Sequence, residues 1–261
     1  MTVDITLFMS INIEKASRRL APLLKDTIMD FKNTVAFVTG ANRGLGKSFV
    51  KALQAAGVTK IYAAARDPSS IDLPGVVPVK LDVTQQDQID AAVRAAGDVT
   101  LLINNAGISR GSPLLADNAL AALRDEFETN VVGPLALTRA FAPVLKAQGG
   151  GAVVNVLSVL SWLNLTGAAT YSVSKAATWS VTNGLRQELK GQGTSVLGLH
   201  VGFMDTDMTA RLDAPKADPL DVAQQVLDAL AAGRDEVYAD ELTRGVKAGL
   251  SAEQGSYRGG V

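Results

Sequence analysis

The sequence predicts an α/β fold of the doubly wound type, in which one parallel sheet of seven strands lies between two layers of helices. Short β-branched or apolar runs recur along residues 34–239 without polar alternation, which is typical of strands buried on both faces. Longer helix-like stretches separate these runs, which implies right-handed βαβ crossovers and therefore a parallel sheet. No shift in composition divides the 261 residues, so we expect a single domain of three layers.

Strands and helices are expected to alternate from residue 34 onward. The first apolar run ends in a glycine-rich turn that opens a helix, and the later runs are separated by stretches of helical length. The predicted strands are Thr34–Thr39, Lys60–Ala65, Val76–Leu81, Val99–Asn104, Ala152–Leu157, Ser195–Val201 and Glu236–Ala239. The predicted helices are Gly44–Ala56, Gln85–Ala96, 117–146, 169–191 and 219–232.

The two ends of the chain lie outside this alternation. Residues 1–32 form an N-terminal extension, in which apolar residues from Ile13 to Ile28 recur at helical spacing but Pro22 interrupts them. This extension is expected to be mobile or a surface helix, and a helix that binds a membrane surface or a partner is the alternative. The domain itself is expected over 33–245, with a Gly- and Ser-rich C-terminal tail over 246–261.

Composition excludes several classes of protein. Apolar residues make up 47% of the chain and charged residues 20%, as in a globular protein with a full-sized core. The 25 basic and 26 acidic side chains give a net charge of −1, so we expect no nucleic-acid partner. The absence of cysteine excludes disulfides and thiolate ligands, and the single histidine argues against a histidine metal site. We therefore expect no metal.

No apolar run approaches the roughly 20 residues that span a bilayer. Residues 1–12 contain an apolar patch but no basic n-region, so they match a secretory signal poorly. We expect no membrane span and a cytoplasmic location.

A glycine turn follows the first predicted strand and is the first candidate binding site. Glycines allow a tight turn and a close approach to a pyrophosphate, and the helix N-terminus that follows adds free N–H groups. The spacing is Gly-x3-Gly-x-Gly, and its place in a βαβ unit favours a dinucleotide site over a simple strand–helix turn. The candidate cofactor residues are Gly40, Asn42, Arg43, Gly44, Leu45 and Gly46.

The end of the second predicted strand indicates which dinucleotide is bound. A carboxylate there would bind the ribose 2′-OH of NAD, but this chain has Arg66, followed by Asp67. Arg43 in the glycine turn can lie nearby, and two guanidinium groups suit a 2′-phosphate. We therefore expect NADP(H) rather than NAD(H), while two solvated surface arginines are the alternative.

Three further strand ends carry candidate residues. Asp82 and Val83 follow the third strand, where the adenine lies in a doubly wound fold. Asn105, Ala106 and Gly107 end the fourth, where small residues let the backbone pass close to a cofactor. Ser158 follows the fifth strand, at the carboxyl edge where such folds bind ligands, and can hydrogen-bond a substrate carbonyl oxygen.

Tyr171 and Lys175 are four residues apart in a predicted helix, so both project from one face. An ammonium close to a phenol, together with the positive nicotinamide ring of an oxidised cofactor, favours the phenolate and lowers the pKa of the phenol, which would make Tyr171 an acid–base group near neutral pH. Asn130 lies within another predicted helix, where Asn is a poor helix former, so a polar function is expected. A buried amide with a purely structural function is the alternative.

These features occur together and in the order of the short-chain dehydrogenase/reductase family, which the chain resembles over about residues 33–240. The resemblance implies a seven-stranded Rossmann sheet, a nicotinamide cofactor and a catalytic tetrad of Asn130, Ser158, Tyr171 and Lys175. In that tetrad Ser158 would hold the substrate oxygen, Tyr171 would exchange the proton, Lys175 would also bind the nicotinamide ribose, and Asn130 would hold a relaying water. Members commonly form dimers or tetramers through two long helices, here those with Asn130 and Tyr171, so a homodimer or homotetramer is expected.

The chain departs from the family pattern after the sixth strand, where Val201 replaces the usual proline. Gly202 and Thr206 still fit the segment that lies near the nicotinamide. His200 is expected to be a packed strand-end residue, since the tetrad needs no histidine. Leu160, Trp162, Phe203 and Met204 are expected to line the substrate pocket, with core or subunit contacts as the alternative.

The sequence therefore predicts an NADP-dependent oxidoreductase that acts on a carbonyl or secondary alcohol of an apolar small molecule. A catalytically silent dinucleotide-binding regulator or scaffold is the alternative from another class. A nucleotide-sugar epimerase also uses a Tyr-x3-Lys pair, but it needs a sizeable C-terminal substrate domain.

Overall fold

The computed structural model describes residues 29–258, and its sheet has the predicted seven parallel strands. The strands are β1 Val35–Thr39, β2 Lys60–Ala65, β3 Val77–Lys80, β4 Leu101–Asn104, β5 Gly151–Val156, β6 Thr194–His200 and β7 Glu236–Tyr238. Their order across the sheet is β3-β2-β1-β4-β5-β6-β7. The order reverses between β1 and β4, so a crevice for a ligand is expected at the carboxyl ends of these two strands.

Seven α-helices cover the two faces of the sheet in the described part of the chain. They are α1 Gly44–Ala55, α2 Gln86–Ala95, α3 Ala119–Phe127, α4 Gly133–Ala147, α5 Ala169–Leu189, α6 Pro219–Ala231 and α7 Glu241–Gly249. A π-helical segment, Glu128–Val132, joins α3 to α4. The single helix predicted over 117–146 is therefore a continuous rod with a wider turn in its middle. No helix within residues 29–258 is long and apolar enough to cross a bilayer.

The central strands are buried on both faces, which explains their unbroken apolar runs. In β1, Val38 packs into the core beneath α1 and α6, with Phe49 and Val226. The neighbouring Phe37 faces the opposite side and packs with Phe141 of α4. Alternate residues of one strand thus contribute to two separate apolar layers.

Both ends of the described chain pack on the domain. Met29 and Phe31 contact the core layer beneath α1, whereas the helical pattern predicted up to Ile28 lies outside the described residues. The predicted tail from residue 246 needs correction, because α7 continues through that boundary and Val246 is buried. Asp240 caps α7 through the N–H of Thr243, and an apolar cluster covers Val246.

Candidate active site

The glycine turn between β1 and α1 has a backbone that only glycine adopts easily. Gly40 and Gly44 have φ angles of +63° and +51°, in the left-handed region. Gly46 is required for a different reason, because a Cβ there would lie 2.1 Å from the carbonyl oxygen of Gly40. The turn therefore passes close to the first turn of α1, as a pyrophosphate site requires.

The N-terminus of α1 is open to a ligand. Arg43 occupies the N-cap position but its side chain makes no capping hydrogen bond, so it satisfies none of the first-turn N–H groups. Leu45 is buried, and only its backbone could serve a cofactor. Asn42 donates its side-chain amide to Ser70 Oγ at 3.1 Å, which ties the glycine turn to the turn after β2. These features fit a dinucleotide pyrophosphate.

Asn105 and Ala106 fix the end of β4 against the glycine turn. The Asn105 amide donates to the carbonyl oxygens of Thr39 and Gly40 at 2.8 and 3.2 Å. The backbone N–H groups of Asn105 and Ala106 both donate to Thr39 Oγ1, at 2.9 and 3.0 Å. Gly107 follows directly, and a Cβ there would lie 3.1 Å from Asn130 Oδ1.

Asp82 and Val83 make local contacts after β3. Asp82 accepts hydrogen bonds from the N–H and hydroxyl of Thr84, at 3.0 and 2.7 Å. Val83 packs against Gly133 at the start of α4, where a Cβ would approach Val83 Cγ2 to 2.9 Å. Both residues lie at the carboxyl edge of the sheet.

The two arginines expected at a 2′-phosphate are both exposed. Arg66 follows β2, and Arg43 pairs with Asp207 of the loop after β6 at 3.1 Å. The Asp67 carboxylate caps a short turn through the hydroxyl and N–H of Ser69, and these hydrogen bonds lower its pKa. Thr206, next to Asp207, is close enough that a Cβ on Gly44 would lie 3.4 Å from its methyl group.

Tyr171 and Lys175 share one face of α5, one turn apart. The Lys175 ammonium lies 5.5 Å from the centre of the Tyr171 ring. Its Nζ donates to the carbonyl oxygen of Val156, at the end of β5, at 2.7 Å. Burial lowers the pKa of Lys175 to about 8, because a charged ammonium loses hydration there.

Without the positive nicotinamide ring on which the expected lowering depends, the surroundings of Tyr171 raise the pKa of its phenol. Burial raises the pKa of the phenol, and the negative charge of Glu126 raises it further. A low-dielectric site disfavours the phenolate, and the same burial makes the Lys175 ammonium less charged. Tyr171 is therefore held as a protonated phenol.

Ser158 occupies the N-cap of a short 3₁₀ turn, Val159–Ser161, that follows β5. Its Oγ accepts the N–H of Leu160 at 3.1 Å, and its own N–H donates to Ser161 Oγ at 3.2 Å. The Ser158 hydroxyl hydrogen is not used in these bonds, so it is available to a substrate oxygen. Val156, which binds Lys175, lies two residues earlier.

Asn130 lies in the π-helical segment, whose wider turn is a common feature of functional sites. Its amide bonds both backbone groups of Ile108, and Nδ2 also donates to Ser174 Oγ at 3.0 Å. The backbone carbonyl oxygen of Asn130 accepts the hydroxyl of Thr178 at 2.8 Å. Two contacts with α5 thus connect Asn130 to the helix of Tyr171 and Lys175.

The four predicted pocket residues differ in the burial and packing of their side chains. Leu160 and Phe203 are half-buried near the Ser158 turn and the loop after β6. The expectation that Trp162 lines the pocket needs correction, because its ring is buried among His200, Trp179 and Tyr238. Met204 is half-buried and packs against the core layer beneath α1.

Gly202 and His200 have structural contacts of their own. Gly202 donates its N–H to Asp240 Oδ2 at 2.6 Å, and a Cβ there would lie 3.2 Å from that carboxylate. His200 is fully buried at the end of β6, as expected of a packed strand-end residue.

Sequence reasoning included Thr39 in the glycine-turn motif without giving it a role, and it missed Glu126. Thr39 precedes the glycine turn, and its position at a strand end could have drawn attention to it. Glu126 is fully buried, accepts the N–H of Arg110 at 2.6 Å, and leaves Oε2 without a partner among the described residues. A glutamate on a polar-looking helix carries no signal of such burial, so only the tertiary structure could identify it.

Comparisons with known proteins agree with this geometry. A family model described as short chain dehydrogenase matches residues 34–217. An uncharacterised oxidoreductase of Staphylococcus haemolyticus is 32% identical over 215 residues, which are 77% of this chain and 92% of the relative.

Two solved structures are similar over most of their length. A short chain dehydrogenase from Burkholderia cenocepacia in complex with NADP is 40% identical, with a TM-score of 0.83, over 86% of this chain and 95% of the other. A short chain dehydrogenase/reductase from Burkholderia phymatum in complex with NAD is 26% identical, with a TM-score of 0.71, over 80% of this chain and 89% of the other.

Proposed function

The chain belongs to the short-chain dehydrogenase family of oxidoreductases, and we propose that it transfers a hydride between NADP(H) and the carbonyl or secondary alcohol of an apolar small molecule. The observation that carries the proposal is the Tyr171–Lys175 pair, with Lys175 bonded to the end of β5 two residues before Ser158. The uncapped N-terminus of α1 lies at the same edge of the sheet.

A nicotinamide dinucleotide fits the residues at this edge. The backbone of the glycine turn and the first turn of α1 would hold the pyrophosphate, and Asp82 and Val83 would lie on the adenine side. The middle of the dinucleotide would lie beside Asn105, Ala106 and Gly107. Its nicotinamide end would lie near Lys175, Gly202 and Thr206. When bound, the dinucleotide supplies or accepts the hydride.

The preference for NADP(H) rests on Arg66 and Arg43. Both guanidinium groups are exposed, and the Arg43–Asp207 pair is a surface ion pair worth only about 0–1 kcal/mol. Arg43 can therefore exchange its partner for a 2′-phosphate at little cost. The NADP complex of the more similar Burkholderia protein supports this choice, while the NAD complex of the other leaves it to be tested.

The proposed proton transfer uses the chain's own residues. Ser158 donates its free hydroxyl hydrogen to the substrate oxygen and orients it towards Tyr171. The protonated phenol of Tyr171 then gives its proton to the oxygen of a carbonyl as that carbonyl is reduced. Lys175 and Asn130 return a proton to Tyr171, with Asn130 holding a water between Lys175 and solvent.

We propose that the part of the substrate that enters the pocket carries no charge. Leu160, two residues after Ser158, and Phe203, in the loop after β6, offer half-buried apolar surface. Arg110, the nearest basic side chain in sequence to the β4 segment, pairs with Asp125 at 2.9 Å in an exposed ion pair like that of Arg43, so the apolar surface alone supports an uncharged substrate. A carbonyl compound with an apolar body suits this surface better than an acid or a phosphate.

We propose a homodimer or homotetramer in the cytoplasm. Large apolar side chains are exposed on the rod formed by α3 and α4 and on α5: Leu120, Phe127, Val132 and Val173 are 66%, 39%, 39% and 37% exposed. A second copy of the chain would cover these side chains. Sedimentation of the purified protein tests this, and a monomer at micromolar concentration would contradict it.

Tyr171→Phe tests the proposed reaction, and Tyr257→Phe, an exposed tyrosine near the C-terminus, is the matched control. Oxidation of NADPH is followed by its absorbance with a panel of apolar aldehydes and ketones, and NADPH binding by fluorescence. We expect Tyr171→Phe to lose turnover but keep NADPH affinity, and the control to behave as wild type. Binding without turnover in the wild type would favour the silent regulator, and turnover in Tyr171→Phe would remove Tyr171 from its role.

A further inference from the structure

A cluster of aromatic rings lies directly behind the Ser158 turn and takes no part in the proton transfer proposed above. His200 stacks on Trp162, with ring centres 3.9 Å apart and planes inclined by 18°. Trp162 in turn meets Trp179 edge to face, with ring centres 6.0 Å apart. We call His200, Trp162 and Trp179 the aromatic brace.

His200 contacts the backbone of Ser158 itself. Its Nδ1 lies 3.3 Å from the Ser158 carbonyl oxygen, which also accepts the N–H of Ser161 at 2.9 Å. A carbonyl oxygen can only accept, so a hydrogen bond between the two requires the hydrogen to be on Nδ1. Nε2 then carries a lone pair, and it has no partner among the described residues.

The charge state of His200 allows its Nδ1 to remain a hydrogen-bond donor over a range of pH. Burial lowers the pKa of His200 to about 4, and the positive charges of Lys247 and Arg186 act in the same direction. The hydrogen bond to the Ser158 carbonyl and the negative charge of Glu236 favour the imidazolium, but burial outweighs both. The ring is therefore neutral near neutral pH, and its Nδ1–H does not change with pH in that range.

The brace connects the Ser158 turn to the helix that carries the phenol and the ammonium. Trp162 ends the turn that Ser158 begins. Trp179 follows Tyr171 by eight residues and Lys175 by four, so all three project from one face of α5. Lys247 of α7 places its ammonium 5.2 and 5.8 Å from the centres of the Trp162 and Trp179 rings and closes the cluster.

We propose that His200 is a positioning residue, whose Nδ1–H holds the Ser158 carbonyl so that the Ser158 hydroxyl stays aligned with Tyr171 and Lys175. The proposal rests on the proposed function, because a misaligned Ser158 hydroxyl would be detected by the slowing of the proposed reaction. In the proposed function the Ser158 hydroxyl binds the reacting oxygen of the substrate. A displacement of that hydroxyl by about 1 Å would therefore reduce kcat by as much as a hundredfold.

Two substitutions at His200 separate the effect of its Nδ1–H donor from the effect of its aromatic ring. His200→Phe keeps a ring to stack on Trp162 but has no donor, whereas His200→Asn keeps an N–H at the position of Nδ1 but loses the ring. Tyr238→Phe is the matched control, because it alters a ring of the same cluster that does not contact Ser158.

The readouts are kcat, KM and NADPH affinity with one reducible carbonyl compound, and the melting temperature of each variant. We expect kcat to fall about tenfold or more in His200→Phe, with NADPH affinity unchanged, and His200→Asn to recover most of kcat despite a lower melting temperature. Tyr238→Phe should keep the wild-type kcat. A role in packing alone predicts the reverse order, with His200→Asn the slower variant, and that order or a wild-type kcat in His200→Phe would overturn the proposal.

A second measurement keeps this test separate from that of the proposed function. If the wild-type protein reduces no carbonyl compound, the proposed function fails by itself. Crystal structures of the wild type and His200→Phe then decide the role of His200, with an expected displacement of Ser158 Oγ of about 1 Å. An unmoved Ser158 in that variant would refute the positioning role.

Discussion

Asn130 binds both backbone groups of Ile108: its Oδ1 accepts the Ile108 N–H and its Nδ2 donates to the Ile108 carbonyl, each at 2.9 Å. The pair joins the π-helical turn of the α3–α4 rod to the segment that leaves β4. Gly107 lies in the same contact, since a Cβ there would approach Asn130 Oδ1 to 3.1 Å. Asn130 therefore combines a structural role with the one proposed in proton transfer.

Asn130→Ala is expected to destabilise the fold by about 2–3 kcal/mol, because it leaves two backbone groups of Ile108 without partners. The measurement is the free energy of unfolding in urea. Asn33→Ala, at an exposed residue whose side chain bonds Asp30 within its own turn, is the control and should change stability by less than about 0.5 kcal/mol. Equal stability of the two variants would show that the Ile108 contact is unimportant.

Arg66→Ala is expected to weaken NADPH binding about tenfold, or by about 1.4 kcal/mol, and to leave NADH binding unchanged. The reason is that a guanidinium on the 2′-phosphate has no counterpart in NADH. Calorimetric titration with both dinucleotides measures the difference. Arg94→Ala, at an exposed arginine near the end of α2, should affect neither affinity. A wild-type preference for NADH, with no effect of Arg66→Ala, would contradict the NADP(H) proposal.

Glu126→Gln is expected to lower the pKa of Tyr171, because the negative charge of Glu126 raises it. Alcohol oxidation needs the phenolate, so its rate should rise at a lower pH in the variant than in the wild type. Carbonyl reduction needs the phenol and should be lost at a correspondingly lower pH.

The measurement is the pH dependence of kcat/KM in both directions. Glu128→Gln removes the same charge from an exposed position two residues away and serves as the control. If the two variants shift the profile equally, the effect belongs to the net charge of the protein and not to the buried carboxylate.

Gly46→Ala is expected to destabilise the protein by about 1–3 kcal/mol or more, because its Cβ would lie 2.1 Å from the backbone oxygen of Gly40. The added Cβ of Gly245→Ala in α7 meets no atom of residues 29–258 within 4 Å, and the substitution should stabilise the helix by about 0.5–1 kcal/mol. Thermal unfolding distinguishes the two. An unchanged melting temperature in Gly46→Ala would mean that the turn is not packed as described.

Much of the fold was predictable because its signals are local. The unbroken apolar runs of β1, β4 and β5 indicated strands buried on both faces, and the crossovers between them allowed only a parallel sheet. The π-helical turn at Asn130 was not predicted, since the stretch 117–146 has an ordinary helical length and pattern. The packing of Val246 was also missed, because the Gly- and Ser-rich composition that follows it resembles a loose tail.

The sequence by itself determined the order of strands and helices, the glycine turn and the Tyr-x3-Lys pair, because each depends on residues close together in the chain. Only the tertiary structure decided that Trp162 is an interior ring, that Glu126 acts on Tyr171, and that Arg43 faces Asp207. These contacts join elements up to 164 residues apart. Burial and charge at such contacts are set by the neighbours that folding supplies, so no pattern along the chain records them.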